Sequence, residues 1–187
     1  MSPILGIFAS QGRVAASTNS YESIATTTVG AGGVSNVTFS SIPGTYKHLQ
    51  IRILANGSTA GDQDLQVQLN SDTGTNYSYH TLYGNGASAA ANAGATQSSM
   101  IGGWNFAIGT GSANIYSVAV IDVLEYANTN IYKTIRSLAG QDKNGSGTVG
   151  LFSGNWRSTS AVTSIKLYPA SGNFNQYSSF ALYGVKG

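Results

Sequence analysis

The chain has 187 residues, with nine Lys or Arg against seven Asp or Glu, and it contains no cysteine. This composition excludes a disulfide framework and a thiolate metal site, and the scattered basic residues form no stripe that would neutralise nucleic-acid phosphates. Charged residues make up only 9% of the chain, against roughly 25% in average soluble domains, which favours a protein of an extracellular or assembled setting over a dilute enzyme.

Residues 1–20 are predicted to form an extended N-terminal anchoring arm. Its large apolar head consists of Ile4, Leu5, Ile7 and Phe8. No Lys or Arg precedes this run, which breaks at Gly6, so it does not match a signal peptide, and no stretch of the chain reaches the ~18 apolar residues of a membrane span. Because exposed apolar groups are unfavourable on a monomer, we expect the head to dock on another subunit, with residues 11–20 as the strap.

From residue 21 onward, apolar and polar residues alternate with a period of two, which predicts half-buried strands. The segment 114–126 is apolar on both faces and is predicted to be a central strand, and the tyrosines of 77–83 share one face. The predicted strands are 34–40, 48–55, 64–70, 77–83, 114–126, 131–139, 148–153, 162–168 and 177–185. Residues predicted to face inward include Leu49, Ile51, Ile53, Leu65, Val67, Leu69 and Phe180.

Clusters of Gly, Pro, Asn, Asp and Ser separate these strands and favour turns. The Ala-rich segment 84–98 lacks large apolar residues and is predicted to be a long loop. The turn spacing is typical of an all-β sandwich or barrel. We therefore predict one antiparallel β-sandwich of eight to ten strands over residues 21–187, a jelly roll, preceded by the arm 1–20.

The acidic residues form no pattern typical of catalysis. Asp62 and Asp64 stand two apart and would share one face of a strand, whereas a glycosidase needs two carboxylates across a cleft. Asp122 lies in an apolar run, so we expect it to be buried and to pair with Lys or Arg across the sheet. We interpret the other acidic residues as solvated carboxylates in loops.

The histidines do not predict a metal site. His48 and His80 occupy polar positions of amphipathic strands and are expected to face outward. Two histidines without cysteine fall short of the three or four convergent ligands of a zinc or iron site, and the loop 70–76 offers calcium a single carboxylate, Asp72. We expect no metal, no cofactor and no catalytic residue.

The aromatic residues leave two interpretations open. Their side chains fill a sandwich core or anchor a protein interface, or alternatively they stack on sugar rings. The aromatic residues concerned are Trp104, Trp156, Tyr77, Tyr79 and Tyr132.

A family resemblance covers most of residues 21–187. It rests on the stretches YESIATTTVGAGGVSNVTFSSIPGTYKHLQIRI, LNSDTGTNYSYHTLYGNG, YKTIRSLAGQDKNGSG and FALYGVKG. These resemble small structural proteins of tailed bacteriophages. The resemblance implies a jelly-roll module that decorates capsids or builds tail and fibre tips, and it carries over no catalytic residue.

Composition and resemblance together predict a non-enzymatic structural component at the virion surface of a bacteriophage. The leading expectation is a capsid decoration (cement) protein that clamps neighbouring capsid subunits, and the alternative is a tail-fibre or tail-tip adhesin that binds a host surface glycan. A glycan depolymerase ranks third. The expected partners are the major capsid protein or tail proteins and further copies of this chain, with a trimer favoured, but neither nucleic acid nor a membrane.

Overall fold

A computed structural model describes residues 20–107, 109 and 114–187, which contain strands and no helix. Ser20 is the first described residue, so the predicted arm otherwise lies outside this part of the chain. The strands are β1 (Tyr21–Thr28), β2 (Val37–Phe39), β3 (His48–Ala55), β4 (Gln63–Leu69), β5 (Tyr77–Gly84), β6 (Ala89–Gln97), β7 (Met100–Ala107), β8 (Ser117–Leu124), β9 (Lys133–Asp142), β10 (Gly147–Trp156), β11 (Ile165–Pro169) and β12 (Ser179–Val185).

The strands form two antiparallel sheets. The large sheet has eight strands in the order β1-β12-β3-β8-β9-β10-β5-β6, and the small sheet has four in the order β2-β11-β4-β7. The small sheet packs against the large one mainly through β7, which lies against β9 and β10. The predicted antiparallel β-sandwich is therefore confirmed.

The connectivity is that of a jelly roll with two added hairpins. Successive strands change sheets at every connection except β5–β6, β8–β9 and β9–β10, and this produces the interleaved sets β1-β12-β3-β8 and β2-β11-β4-β7. The hairpins β5–β6 and β9–β10 extend the large sheet on the far side of β8. Because of these hairpins, β8 becomes a central strand, as its apolar sequence predicts.

The core lies between the facing sides of the two sheets. All seven residues predicted to face inward from the alternation of β3, β4 and β12 are buried, with exposures of 0–4%. Phe180 also contacts Phe174 with ring centroids 4.8 Å apart. Burying such side chains stabilises the fold by about 1.5–3 kcal/mol each relative to exposure.

The expected loop at 84–98 is wrong, because residues 89–97 form β6 and pair with β5. Alanine and glycine have low strand propensity, but packing against β5 requires a residue without a side chain at position 94. A Cβ atom on Gly94 would lie 2.6 Å from the ring of Tyr79, so glycine lets that ring lie flat against the β6 backbone. The predicted count of eight to ten strands is also too low, since β1, β6 and β7 escaped the alternation pattern.

Candidate protein-binding face

The outer face of the large sheet, which points away from the small sheet, is the most unusual surface of the described residues. Seven large apolar side chains on it have exposures between 39% and 60%. A soluble monomer rarely exposes so many apolar groups side by side. The seven residues, called the apolar patch below, are Leu54, Leu82, Val118, Val120, Leu138, Val149 and Leu151.

Strand register makes the patch continuous. Leu151 on β10 lies opposite Leu82 on β5 on one side and opposite Leu138 on β9 on the other. Leu138 in turn lies opposite Val120 on β8. Directly opposed residues in neighbouring strands have Cβ atoms about 4.5–5.5 Å apart, so these four side chains form one unbroken row across four strands.

A second row beside the first contains gaps. Val149 and Val118 lie on either side of Gly140 in the register, and Gly84 lies on the other side of Val149. Neither glycine has a side chain to fill its place on the outer face. A shallow apolar groove of about 390 Å³ runs over this region beside Leu138, and it would accommodate apolar side chains from a partner.

The next row of the face is polar and internally neutralised. The Arg136 side chain donates a hydrogen bond to Asp122 at 2.8 Å, and the Gln50 amide donates to the other oxygen of Asp122 at 3.0 Å. The predicted pairing of Asp122 across the sheet is confirmed, but the expectation that it is buried is wrong, because its side chain lies on the outer face and is 20% exposed. The row therefore borders the patch without adding net charge.

Arg52 is the cation that continues the first row toward β12. Its guanidinium lies 5.5 Å from the ring centroid of Tyr21 and 5.0 Å from that of Tyr183. Such cation–π contacts hold a charge over aromatic faces. Arg52 thus belongs to the rim of the patch, on β3 between β8 and β12, rather than to its centre.

Strand β6 ends the large sheet beside the patch. Its sequence, AAANAGATQ, contains no charge and no proline. Native proteins usually protect an edge strand with lysine, proline or a bulge, and of these β6 has only a bulge, between Gly94 and Gln97. The small residues Ala89 and Ala91, both exposed, extend the apolar surface from Gly84 and Leu82 to this edge.

Sequence reasoning placed none of the seven patch residues on a binding surface. A sequence signal for several of them exists nonetheless, because in β8, β9 and β10 apolar residues occupy outward as well as inward positions. Leu151 directly precedes the buried Phe152, and Leu138 directly precedes the buried Ala139. Two successive apolar residues in a strand mark both of its faces as apolar.

Asp62 and Asp64 accept hydrogen bonds from the end of β7 and from Gly109. Asp62 accepts hydrogen bonds from the Gly109 amide at 3.0 Å and from Lys143 at 2.5 Å. Burial opposes its ionisation, but the hydrogen bonds from Lys143, Gly109 and Gln141 outweigh burial and lower its pKa. Burial raises the pKa of Asp64, which accepts from the Asn105 amide at 2.8 Å. The two carboxylates thus have separate partners.

Asp72 links the two sheets. Its carboxylate accepts hydrogen bonds from the Trp156 indole at 2.7 Å, from Asn76 at 2.9 Å and from the Gly74 amide at 2.8 Å. These donors, the Trp156 indole first, lower the pKa of Asp72. The adjacent Tyr77 hydroxyl donates to backbone carbonyls, and its burial raises the pKa of Tyr77 to about 12.

Lys133 is a buried cation that the sequence did not predict. Its ammonium donates to the carbonyls of Asn128, Ile131 and Thr159 at 2.6, 2.7 and 3.1 Å. These three acceptors match the three N–H bonds of an ammonium group, and burial lowers the pKa of Lys133. Lys133 therefore holds two loops together and does not face a ligand groove.

The histidines and aromatic residues divide between surface and core. His80 is exposed on the outer face, and His48 lies half-buried there, where its Nδ1 accepts from the Glu125 amide at 3.0 Å. Trp156 and Tyr77 are buried and stacked, with ring centroids 6.3 Å apart. Their burial favours the core interpretation for these two rings.

The other three aromatic residues also differ in exposure. Trp104 stacks on Tyr83 at 5.1 Å and packs against the core, as does Tyr79. Tyr132 is about half exposed in the loop between β8 and β9. The structure therefore does not gather these aromatic residues into one exposed platform.

The predicted partner-binding residues Ile4, Leu5, Ile7 and Phe8 lie outside the described residues. Within residues 20–107, 109 and 114–187, no three His, Asp or Glu side chains cluster closely enough to hold a metal ion. The same part of the chain has no helix of the length and apolarity that crossing a membrane requires. No protein-family model matches the chain, and a search of curated proteins gave no match.

Proposed function

We propose that this protein is a non-enzymatic structural component of a bacteriophage virion, a capsid decoration protein that binds and stabilises neighbouring capsid subunits. The phage assignment rests on the resemblance of residues 21–187. The single observation that carries the structural role is the apolar patch, because seven partly exposed apolar side chains in register call for a protein partner.

The size of the outer face suits such a role. Eight strands about 4.8 Å apart, each about eight residues long, give a footprint of roughly 1,000 Å². Each partner in a standard protein–protein interface contributes about 800 Å². An apolar centre bordered by a polar rim is also the usual arrangement of an interface, and here the rim is the Gln50–Asp122–Arg136 row.

The expected partners are the major capsid protein or tail proteins and further copies of this chain, with a trimer favoured. The protein would then act at the virion surface. A homo-oligomer presents several patches or arms at once, so modest individual contacts hold through avidity. The low charge of the chain suits close packing against neighbours, because few ionic groups must be desolvated.

A groove of about 470 Å³ at the end of the large sheet favours a second candidate, a tail adhesin that binds a host glycan. Asn85, Tyr116 and Asp142 line this groove together with several glycines. An aromatic ring with nearby amide and carboxylate groups is the chemistry that binds sugars. Val149 and Val118 of the patch also line this groove, so the test of the groove uses Tyr116, which lies outside the patch.

Quantitative mass spectrometry of purified virions tests the proposal. We expect hundreds of copies per particle for a decoration protein, whereas a few to a few dozen would favour the tail adhesin. A Leu138→Asp/Leu151→Asp variant should lose at least nine-tenths of its virion occupancy, and the matched Thr38→Asp variant on the small sheet should keep it. Normal occupancy of the double variant would contradict the proposal.

Glycan binding and turnover separate the remaining alternatives. Host polysaccharide should bind the purified protein no more strongly than it binds a Tyr116→Ala variant, and incubation should release no reducing ends. Binding that Tyr116→Ala abolishes would favour the adhesin. Release of reducing ends that disappears on Asp62→Ala or Asp64→Ala would contradict a non-enzymatic role.

A further inference from the structure

The apolar patch needs an occupant, and the sequence contains an apolar segment that the described fold does not use. We propose that the arm's apolar head, residues 4–8 of one copy, lies on the apolar patch of a neighbouring copy. This inference rests on the proposed function in one respect, namely that the patch is a protein interface. It adds the identity of the occupant.

The chemistry of the two surfaces matches. The head offers four large apolar side chains and no charge. The centre of the patch, the row from Leu82 to Val120, is likewise apolar. Of the cations at its border, Arg136 pairs with Asp122, and Arg52 lies over the rings of Tyr21 and Tyr183. Gly84 and Gly140, on either side of Val149, carry no side chain, so the surface is low there and apolar side chains of the head can lie against it.

The position of Ser20 in the large sheet favours the patch of a neighbouring copy, rather than that of the same copy, as the site that receives the head. Strand β1 runs from Tyr21 to Thr28, and the Lys186 amide donates to the Ser20 carbonyl at 3.0 Å, which continues the pairing with β12 to the first described residue. The central row of the patch aligns with Thr26. Ser20, where the described chain begins, therefore lies at the end of the large sheet away from the patch.

The length of the segment allows the contact. Eleven residues separate Phe8 from Ser20, and eleven extended residues span at most about 40 Å. The patch of the same copy lies about 17 Å back along the strands and about 19 Å across them, so the segment would have to reverse direction to reach it. A neighbour placed beyond the Tyr21 end can receive the head without such a reversal.

Arm exchange has a consequence for symmetry. The donating segment and the receiving patch are different surfaces, so the exchange is either reciprocal within a two-fold dimer or runs in one direction around a closed ring. Such a ring fits the expected trimer, in which each copy donates one arm and receives another. Three equivalent contacts would then hold a ring that a single contact could not.

Cysteine cross-linking of the full-length chain tests this assignment directly, because the native sequence contains no cysteine. A Leu5→Cys/Leu138→Cys variant, treated with a short bismaleimide, should give covalent dimers and trimers on denaturing gels. The matched Leu5→Cys/Thr38→Cys variant places the second cysteine on an exposed site of the small sheet and should stay monomeric. Intrachain linkage, or equal linkage in both variants, would overturn the proposal.

A second variant measures the contribution of the head to self-association. Ile7→Ser/Phe8→Ser should raise the dissociation constant of the oligomer at least tenfold in analytical ultracentrifugation, and an unchanged constant would overturn the proposal. Failure of the arm assignment and failure of the proposed function give different results. If Leu138→Asp/Leu151→Asp empties the virion while Leu5→Cys/Leu138→Cys forms no interchain link, the patch binds another virion protein and only the arm assignment is wrong.

If the interchain link forms but virion occupancy is unaffected by the patch variant, the arm assignment stands. In that case the proposed capsid role of the patch fails.

Discussion

The outer faces of the two sheets differ sharply although both belong to one sandwich. The small sheet presents mostly polar side chains, and Lys166 lies 5.0 Å over the ring of Tyr168. The large sheet presents the apolar patch. The outward residues of β2, β11 and β4 are Thr38, Lys166, Tyr168 and Gln66, and Gln68 points the same way but is buried.

The comparison shows that the inner and outer faces of a sheet obey different requirements, although both are read from the same alternation of residues in the sequence. The inner faces of both sheets must be apolar because they form the core. The outer face of an antiparallel sheet needs no apolar residue when water covers it, and the small sheet follows this rule. The large sheet does not, and its exception falls on β8, β9, β10 and β5, where the two added hairpins widen the sheet.

The largest expected effect comes from making the two outer faces alike. Val118→Thr, Val120→Thr, Leu138→Gln and Leu151→Gln together give the large sheet the polarity of the small one. We expect self-association to weaken at least 100-fold, because each lost apolar contact contributes about 0.8 kcal/mol per buried CH₂. Analytical ultracentrifugation of the full-length protein measures this change.

The matched control changes the other face. Thr38→Asp alters an exposed position of the small sheet and should leave both association and the free energy of unfolding unchanged within ~0.5 kcal/mol. An equal loss of association in both proteins would show that general surface polarity, not the patch, governs self-association.

A second substitution compares the inside and outside of one strand pair. Ile51 is fully buried on β3, and the opposite strand β8 carries Val120 on its outer face. Ile51→Ala should lower the free energy of unfolding by ~2–5 kcal/mol, the range for large-to-small core changes. Val120→Ala should lower it by less than ~1 kcal/mol in the monomer, as urea unfolding at low concentration will measure.

The same comparison shows what the sequence could predict. Period-two alternation located the inward residues of β3, β4 and β12, because a side-chain period of two is a property of every strand. It also predicted β8 as a central strand. It missed β6, where Ala and Gly carry no alternation and only the ring of Tyr79 against Gly94 explains the strand.

The candidate site was harder to predict for a physical reason. Outward Leu138 and Val149 resemble core residues in the sequence, and only the strand register reveals that they lie on one surface. Lys133 was missed because its burial depends on three carbonyls from two loops. The pairing of Asp122 with Arg136 was predicted, since a carboxylate in an apolar strand requires a partner across the sheet, but its burial was not borne out.

A smaller effect concerns the contact between the sheets. Asp72→Asn should lower the free energy of unfolding by about 1 kcal/mol, because the hydrogen bond to Trp156 loses its charge. The pKa of Asp72 lies below its ordinary value of 3.8, so ionised Asp72 stabilises the folded state above that pH. The advantage of the wild type should be constant above pH 5 and shrink as the pH falls below 3.8.

Urea unfolding of both proteins between pH 7 and pH 3 measures this difference. Self-association of Asp72→Asn at neutral pH should equal that of the wild type, because Asp72 lies away from the apolar patch. A variant that loses association while it keeps its stability would contradict this separation of roles.

The smallest effect concerns the polar row at the rim of the patch. Asp122→Asn removes the charge that pairs with Arg136 at 2.8 Å. Partly exposed ion pairs contribute about 0–1 kcal/mol, so the free energy of unfolding should fall by less than ~1 kcal/mol. Association should weaken more than stability, because the variant leaves Arg136 as an unpaired cation at the border of an apolar interface.

An Asp122→Asn/Arg136→Gln double variant restores neutrality and should recover association in ultracentrifugation. If the double variant associates no better than Asp122→Asn, the rim matters through the lost hydrogen bond and not through its charge balance.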